Sequence, residues 1–212
     1  MNRRAFLKLL SIAKAGLASD TSQAVFARND VYVNRHLGIA FQAPPSWHFY
    51  TVHDMNQIHD AQLPRAADSV VAELVSELKS QPLVALGERP IPDVRSEAVA
   101  FSPSIVVRLE LNEDNWSLAD VISRSNLLLS RITTGYQEKR TEFTRVCGYP
   151  AALGTYRYLF EAEKMAGTPI IGRSCIIDVG RYLYSINMYN HDPEKPKITQ
   201  YLDDFVDSIQ LL

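Results

Sequence analysis

The hydrophobic positions of this chain change period several times, and each change marks an element. Ile105, Val107, Leu109 and Leu111 alternate with Val106, Arg108 and Glu110, the two-residue period of a strand with one buried face. Ala67, Val70, Val71, Leu74, Val75 and Leu78 instead recur at helical spacing, with Asp68, Glu73, Glu77 and Lys79 on the other side, which predicts an amphipathic helix over 66–79. Leu118, Val121, Ile122, Ser125, Leu128, Leu129 and Ile132 trace a second helix, opened by Ser117 and Asp120 at capping-box spacing. A third follows Pro193 and Pro196 and carries the stripe Ile198, Tyr201, Leu202, Phe205 and Ile209.

Strands fill most of the rest. Asp30 to Asn34 and Leu37 to Ala43 flank the turn Asn34-Arg35-His36, Pro44-Pro45 ends the second of them, and Trp47, Phe49 and Val52 alternate with polar neighbours as a third. After Pro82, Leu83 to Leu86 is a brief apolar strand, and Gly87 to Ser104 is a long connection with three prolines, either a functional loop or surface decoration. The C-terminal third predicts a meander at 137–146, 151–163, 168–177 and 182–189. Its connections are Cys147-Gly148-Tyr149-Pro150, Lys164-Met165-Ala166-Gly167 and Asp178-Val179-Gly180-Arg181. The order strand, helix, strand, helix, meander, helix predicts an α+β fold, an α/β/α sandwich whose mostly antiparallel sheet has helices on both faces.

The N-terminus follows none of these patterns. Met1-Asn2-Arg3-Arg4-Ala5-Phe6-Leu7-Lys8 matches the bacterial twin-arginine export signal through Arg3, Arg4, Phe6 and Leu7. The apolar stretch from Leu9 to Ala18 is interrupted by Lys14 and falls short of the roughly 20 residues a membrane span needs. Val25-Phe26-Ala27 is a small-residue cleavage site that makes Arg28 the mature N-terminus, and Ala18-Ser19 is a second candidate. An ordinary basic N-terminal helix is the alternative, but it leaves the Phe-Leu-Lys continuation unexplained. The expected organisation is a leader over 1–27 and one domain over 28–212, delivered to the periplasm or beyond by the twin-arginine translocase. That route carries its cargo already folded.

Composition narrows the function. Removing residues 1–27 takes away four basic residues and Asp20, leaving 18 basic and 23 acidic residues and a net charge of about −5. No concentrated basic face emerges, so nucleic acid is not an expected partner. About 185 residues bury one core well and two poorly. Cys147 and Cys175 are the only cysteines. With the connection after 163 taken as tight, Cys175 falls opposite Arg157, about 20 Å along the sheet from Cys147, which predicts two buried thiols and no disulfide.

Three passages resemble the PsbP-like superfamily, which includes photosystem II extrinsic proteins, periplasmic DcrB-type proteins and a Ran-binding import factor. Gly38-Ile39-Ala40-Phe41-Gln42-Ala43-Pro44-Pro45-Ser46-Trp47 is similar to the family's first strand with its Pro and Trp signature, with Ser46 where Gly is usual. Phe101-Ser102-Pro103-Ser104-Ile105-Val106-Val107 looks like its Phe-Asn-Pro-type lead into a central strand. Gly180 to Ile186, continuing to Phe205-Val206-Asp207-Ser208-Ile209, resembles its final hairpin and helix. The resemblance implies an α/β/α sandwich and a binding or assembly role. It carries over no catalytic set.

Candidate chemistry is sparse. His53 and His59, with Asp54 and Asp60, are ligand types suited to a divalent transition metal, but six residues apart they fall on different faces of a helix and could converge only in a loop. A polar connection before the first helix is the plainer account. Tyr156, Tyr158 and Phe160 share one strand face, and Tyr182, Tyr184, Ile186 and Met188 share another; either band could line an apolar groove, and core packing is the stronger reading. Trp47 is read as an anchor for a partner or as a core residue. Neither a Gly-x-Ser-x-Gly elbow nor a Gly-rich phosphate loop is present, and no catalytic residue or required cofactor is assigned. The expectation is an exported, non-enzymatic binding or assembly protein with an envelope partner. A periplasmic metal- or ligand-binding protein is the alternative, and a hydrolase comes third.

Overall fold

A computed structural model describes residues 25–28, 30–35, 37–50, 83–90, 103–160, 167–191 and 196–212. Its strands are β1 (Val25–Arg28), β2 (Val31–Asn34), β3 (Ile39–Gln42), β4 (His48–Tyr50), β5 (Val84–Gly87), β6 (Ser104–Leu111), β7 (Thr134–Val146), β8 (Tyr149–Phe160), β9 (Thr168–Asp178), β10 (Tyr182–Asn190) and β11 (Gln210–Leu211). Two helices, α1 (Leu118–Ile132) and α2 (Pro196–Ser208), complete the described residues. The strands form a seven-stranded sheet in the order β4-β5-β6-β10-β9-β8-β7 and a four-stranded sheet in the order β1-β2-β3-β11, antiparallel throughout.

Alternation along the strands divides the large sheet into two faces. Leu86, Ile105, Val107, Ile177, Ile186 and Met188 share the main core with Ile39 and Phe41 of the small sheet, with Leu202 and Phe205 of α2 and with Ile209 just after that helix. Phe41 is the hub: Phe205 lies 4.9 Å away at 54°, and Tyr32 stacks at 4.8 Å on the same ring. Arg173 of β9 binds Asp203 of α2 at 2.5 Å, tying the helix to the large sheet. On the reverse face, Ala152, Ile176 and Leu183 meet Leu118, Val121 and Ile122 of α1. That helix begins as its sequence predicts, with the Ser117 Oγ and the Asp120 backbone and carboxylate closing a capping box.

The expected α/β/α sandwich is therefore corrected. Strand dominates the described residues, and the layer over the main core is a second antiparallel sheet with one helix beside it, not a helical layer. On the reverse face α1 buries a single residue, Ile122. The sequence reading missed this because β1 and β11 are too short to show a period, and β11 has only two residues. The predicted helix over 66–79 lies outside the described residues, as does most of the long connection, 91–102.

The meander is present, with one slip of register. Phe160 pairs with Thr168, so seven residues connect β8 and β9, and Cys175 lies opposite Leu153 instead of Arg157. A shift of four is even and leaves every side chain on its expected face. At the other end of β8, Val146 pairs with Tyr149 across a two-residue turn in which Cys147 and Gly148 have φ of 52° and 84°, the signature of a type I′ hairpin. Tyr149 and Pro150 thus begin β8 instead of belonging to the turn. Both thiols are free, as expected, but Cys147 is exposed, which corrects the reading of two buried ones. Its Sγ donates to the Ile209 carbonyl at 3.0 Å. Burial, helped by the charge of Cys147, pushes the Cys175 thiol up to about 12.

Two outcomes follow. Gly172 faces the Tyr156 ring so closely that an added Cβ would sit 2.0 Å from Cε2, so Gly172→Ala should lower unfolding stability by about 2 kcal/mol, read from urea titration. A thiol reagent should label Cys147 in the folded protein and Cys175 only after unfolding. Because the folded chain holds the Cys175 proton to about pH 12, the unfolded chain loses it first. Stability should therefore fall as pH rises from about 9 to 12, and Cys175→Ala should flatten that part of the titration.

Candidate functional site

The small sheet does not cover the whole core face of the large one, and at one end an open groove of about 340 Å³ remains. Its floor is Leu109 and Tyr184, paired neighbours on β6 and β10. One wall is the β2–β3 turn with Leu37 and Gly38, the second is the chain end with Leu211 and Leu212, and the third is Val179, Tyr182 and Tyr149 at the ends of β9, β10 and β8. Five distant stretches of sequence meet here.

Each wall is held by its own hydrogen bonds. The Tyr184 hydroxyl donates to the Leu37 carbonyl, and the Leu37 N–H donates to Asn34 Oδ1 at 3.1 Å. Burial, followed by the nearby Tyr32 hydroxyl, raises the Tyr184 pKa, so the phenol stays a donor at neutral pH. Gly38 sits at φ 67°, where a side chain would be strained, and its carbonyl accepts from the Leu212 N–H at 2.8 Å. Across the groove, the Val179 N–H donates to the Tyr182 carbonyl at 3.0 Å and the Gly180 N–H to Asp178 Oδ1 at 2.8 Å. The rim is consequently fixed while its side chains stay open. Tyr149, Tyr182 and Leu212 are each 43% exposed, unusual for large apolar groups held in register.

Such a site offers apolar area and phenolic hydroxyls and little else. Among the described residues, no three His, Cys, Asp or Glu side chains converge on a point. Tyrosines set in a rigid apolar rim suit recognition of another chain, because they give contact area at small entropic cost.

A second tyrosine group lies on the reverse face. Tyr136, Tyr156, Tyr158 and Tyr189 gather around Gly172, where the missing side chain leaves room for the Tyr156 ring. Burial raises the pKa of three of them: Tyr136 is pushed up to about 12, and Tyr156 and Tyr158 are raised as well. The buried Tyr156 hydroxyl has the Tyr189 phenol beside it. On the same face Glu110 has its carboxyl pKa raised by burial, against the opposing pull of Arg108 and Ser185. Tyr156 is buried, in keeping with core packing, while Tyr136, Tyr158 and Tyr189 are half-buried around it.

The residues singled out from sequence fall elsewhere. Trp47 is 8% exposed and packs in the main core, so it is not an exposed partner anchor. His53 and His59 lie outside the described residues, as do Arg3, Arg4, Phe6 and Leu7 of the export signal. Ala27 is in β1. Of the two aromatic bands, the β10 band splits: Tyr184, Ile186 and Met188 are buried, while Tyr182 opens onto the groove. Tyr149, Leu37 and Leu212 were missed. Tyr149 had a signal, an aromatic beside a Gly in a predicted hairpin, but Leu37 and Leu212 acquire their role only through the β3–β11 pairing.

No family model matches the sequence, and neither does any curated protein. Solved structures do. Cyanobacterial PsbP from Synechocystis sp. PCC 6803 is similar at 11% identity over 92% of this chain and 99% of that one, with a TM-score of 0.54. LpqN of Mycobacterium tuberculosis is similar at 13% identity over 81% of this chain and 82% of that one, with a TM-score of 0.50. No described helix is long and apolar enough to cross a membrane. At these identities the likeness is one of fold: the chain has a PsbP-like arrangement in which the antiparallel sheets dominate.

Proposed function

We propose that this chain is an exported, non-catalytic accessory protein of the bacterial cell envelope, and that it binds a partner protein through the groove between Leu37, Tyr149, Tyr182 and Leu212. The observation that carries this reading is the groove itself: an apolar cleft with a rigid backbone, rimmed by two half-exposed tyrosines and an exposed leucine. The Arg3-Arg4 signal supports export. The fold is compatible with an accessory role, since LpqN, which has a similar fold, is described as involved in cell envelope biogenesis.

Aromatic anchors near the centre of an interface typically supply about 2 kcal/mol or more each. Tagged wild type recovered from envelopes should therefore enrich a reproducible partner, and a Tyr149→Ser/Tyr182→Ser variant should bind that partner at least about tenfold more weakly. Both rings are exposed, so the far-ultraviolet circular dichroism of the variant should match wild type. Undiminished binding by the folded variant would remove the groove from the function.

A further inference from the structure

We infer that the leader is cut upstream of Val25, after Ala18, and that β1 remains in the mature protein. This rests on the export reading proposed above. The sequence leaves two small-residue sites open, Gly16-Leu17-Ala18 before Ser19 and Val25-Phe26-Ala27 before Arg28. The first lies outside the described residues; the second does not, and its position decides between them.

Ala27 is not in a connecting segment. It pairs with Tyr32 in the β1–β2 ladder, where Val25 pairs with Asn34, Phe26 with Val33 and Arg28 with Val31. A cut after Ala27 would remove three of the four residues of β1 and leave Arg28 alone. β2 would then become the edge of the small sheet, although all four of its residues are buried. An edge strand of that kind presents unpaired N–H and C=O groups with no charge or proline to guard them.

The β1–β2 hairpin is also specified by its turn. Arg28 pairs with Val31, and between them Asp30 is a residue type that tolerates the left-handed region a tight hairpin needs. Asp30 has φ 44°. Its carbonyl accepts from the Ala43 N–H at 2.6 Å and its carboxylate accepts from Gln42 Nε2 at 2.9 Å, so the turn is pinned to the end of β3. A chain starting at Arg28 would keep this braced turn with no strand for it to deliver.

Timing adds to the geometry. A twin-arginine cargo folds before it crosses, so the processing enzyme meets β1 already paired. A peptidase takes its substrate as an extended strand in its own cleft, and the bond after Ala27 could enter only once β1 had been stripped from β2. The bond after Ala18 precedes the ladder by six residues. It also has small residues at both positions that such enzymes read, Gly16 and Ala18, where the downstream site has Val25.

The full chain, expressed in a bacterium with a working twin-arginine translocase, tests this by intact-mass and N-terminal peptide analysis of the exported fraction. The expected N-terminus is Ser19. Ala18→Leu should accumulate uncut precursor, whereas Ala27→Leu should be processed normally and its mature form should carry the mass of the added side chain. A mature chain beginning at Arg28, or Ala27→Leu losing its added mass on processing, would overturn the inference while leaving export intact. Full-length protein confined to the cytoplasm, unaffected by Arg3→Lys/Arg4→Lys, would overturn the export reading and the processing step with it.

Discussion

The structure depends on covering one face of the large sheet. Leu86, Ile105, Val107, Ile177 and Ile186 are wholly buried on that face, and α2 alone, 13 residues long, is too narrow to shield the four adjacent strands they come from. The small sheet supplies the rest of the cover, through Ile39 and Phe41, and Phe41 joins the two parts of the cover by stacking on Tyr32 while touching Phe205. Burying a Phe side chain stabilises a fold by about 1.5–3 kcal/mol, so this ring, which touches both halves of the lid, is costly to lose. The small sheet is also where the described chain starts and ends, since β1 opens it and β11 closes it.

The same constraint explains the groove. Among the described residues a two-residue strand, β11, is all that extends the small sheet on its β3 side, and none of them covers the large sheet past it. Tyr184 is buried in the main core and Leu109 packs against it, and the two form the floor of a cleft. The edges of the large sheet are handled differently. β7 is exposed along most of its 13 residues, carries Glu138, Lys139, Arg140, Glu142 and Arg145, and twice breaks register with β8. Charge and irregularity of that kind keep an edge from pairing with another chain. The groove has no such guard, a contrast that favours it over β7 as the surface for a partner.

Much of this fold is legible in the sequence, and the limits are physical. Strict alternation in β6 and β10, the Ser117-Asp120 box and the stripe of α2 were readable because each repeats over several turns or pleats. The connection between β8 and β9 was not, because a seven-residue link carries no register information of its own. Cys147 was read as a buried thiol once its distance from Cys175 ruled out a disulfide, yet a type I′ turn places it at the tip of a hairpin, where exposure is hard to avoid. The layer arrangement was the largest miss. Strands of two to four residues leave no periodic trace, so the second sheet could be found only through its pairing.

The groove was illegible for a related reason, and that reason bears on how the protein could work. Its residues come from the β2–β3 turn, the end of β6, the start of β8, the β9–β10 turn and the C-terminus, so no segment contains the site. It exists only after both sheets have formed and Leu212 has bonded to Gly38. A binding surface assembled from five places cannot engage a partner as an unfolded chain, and its rim opens only when long-range pairing is complete. For a chain that crosses the membrane folded, the proposed partner-binding surface would therefore be in place on arrival, with no refolding step between export and function.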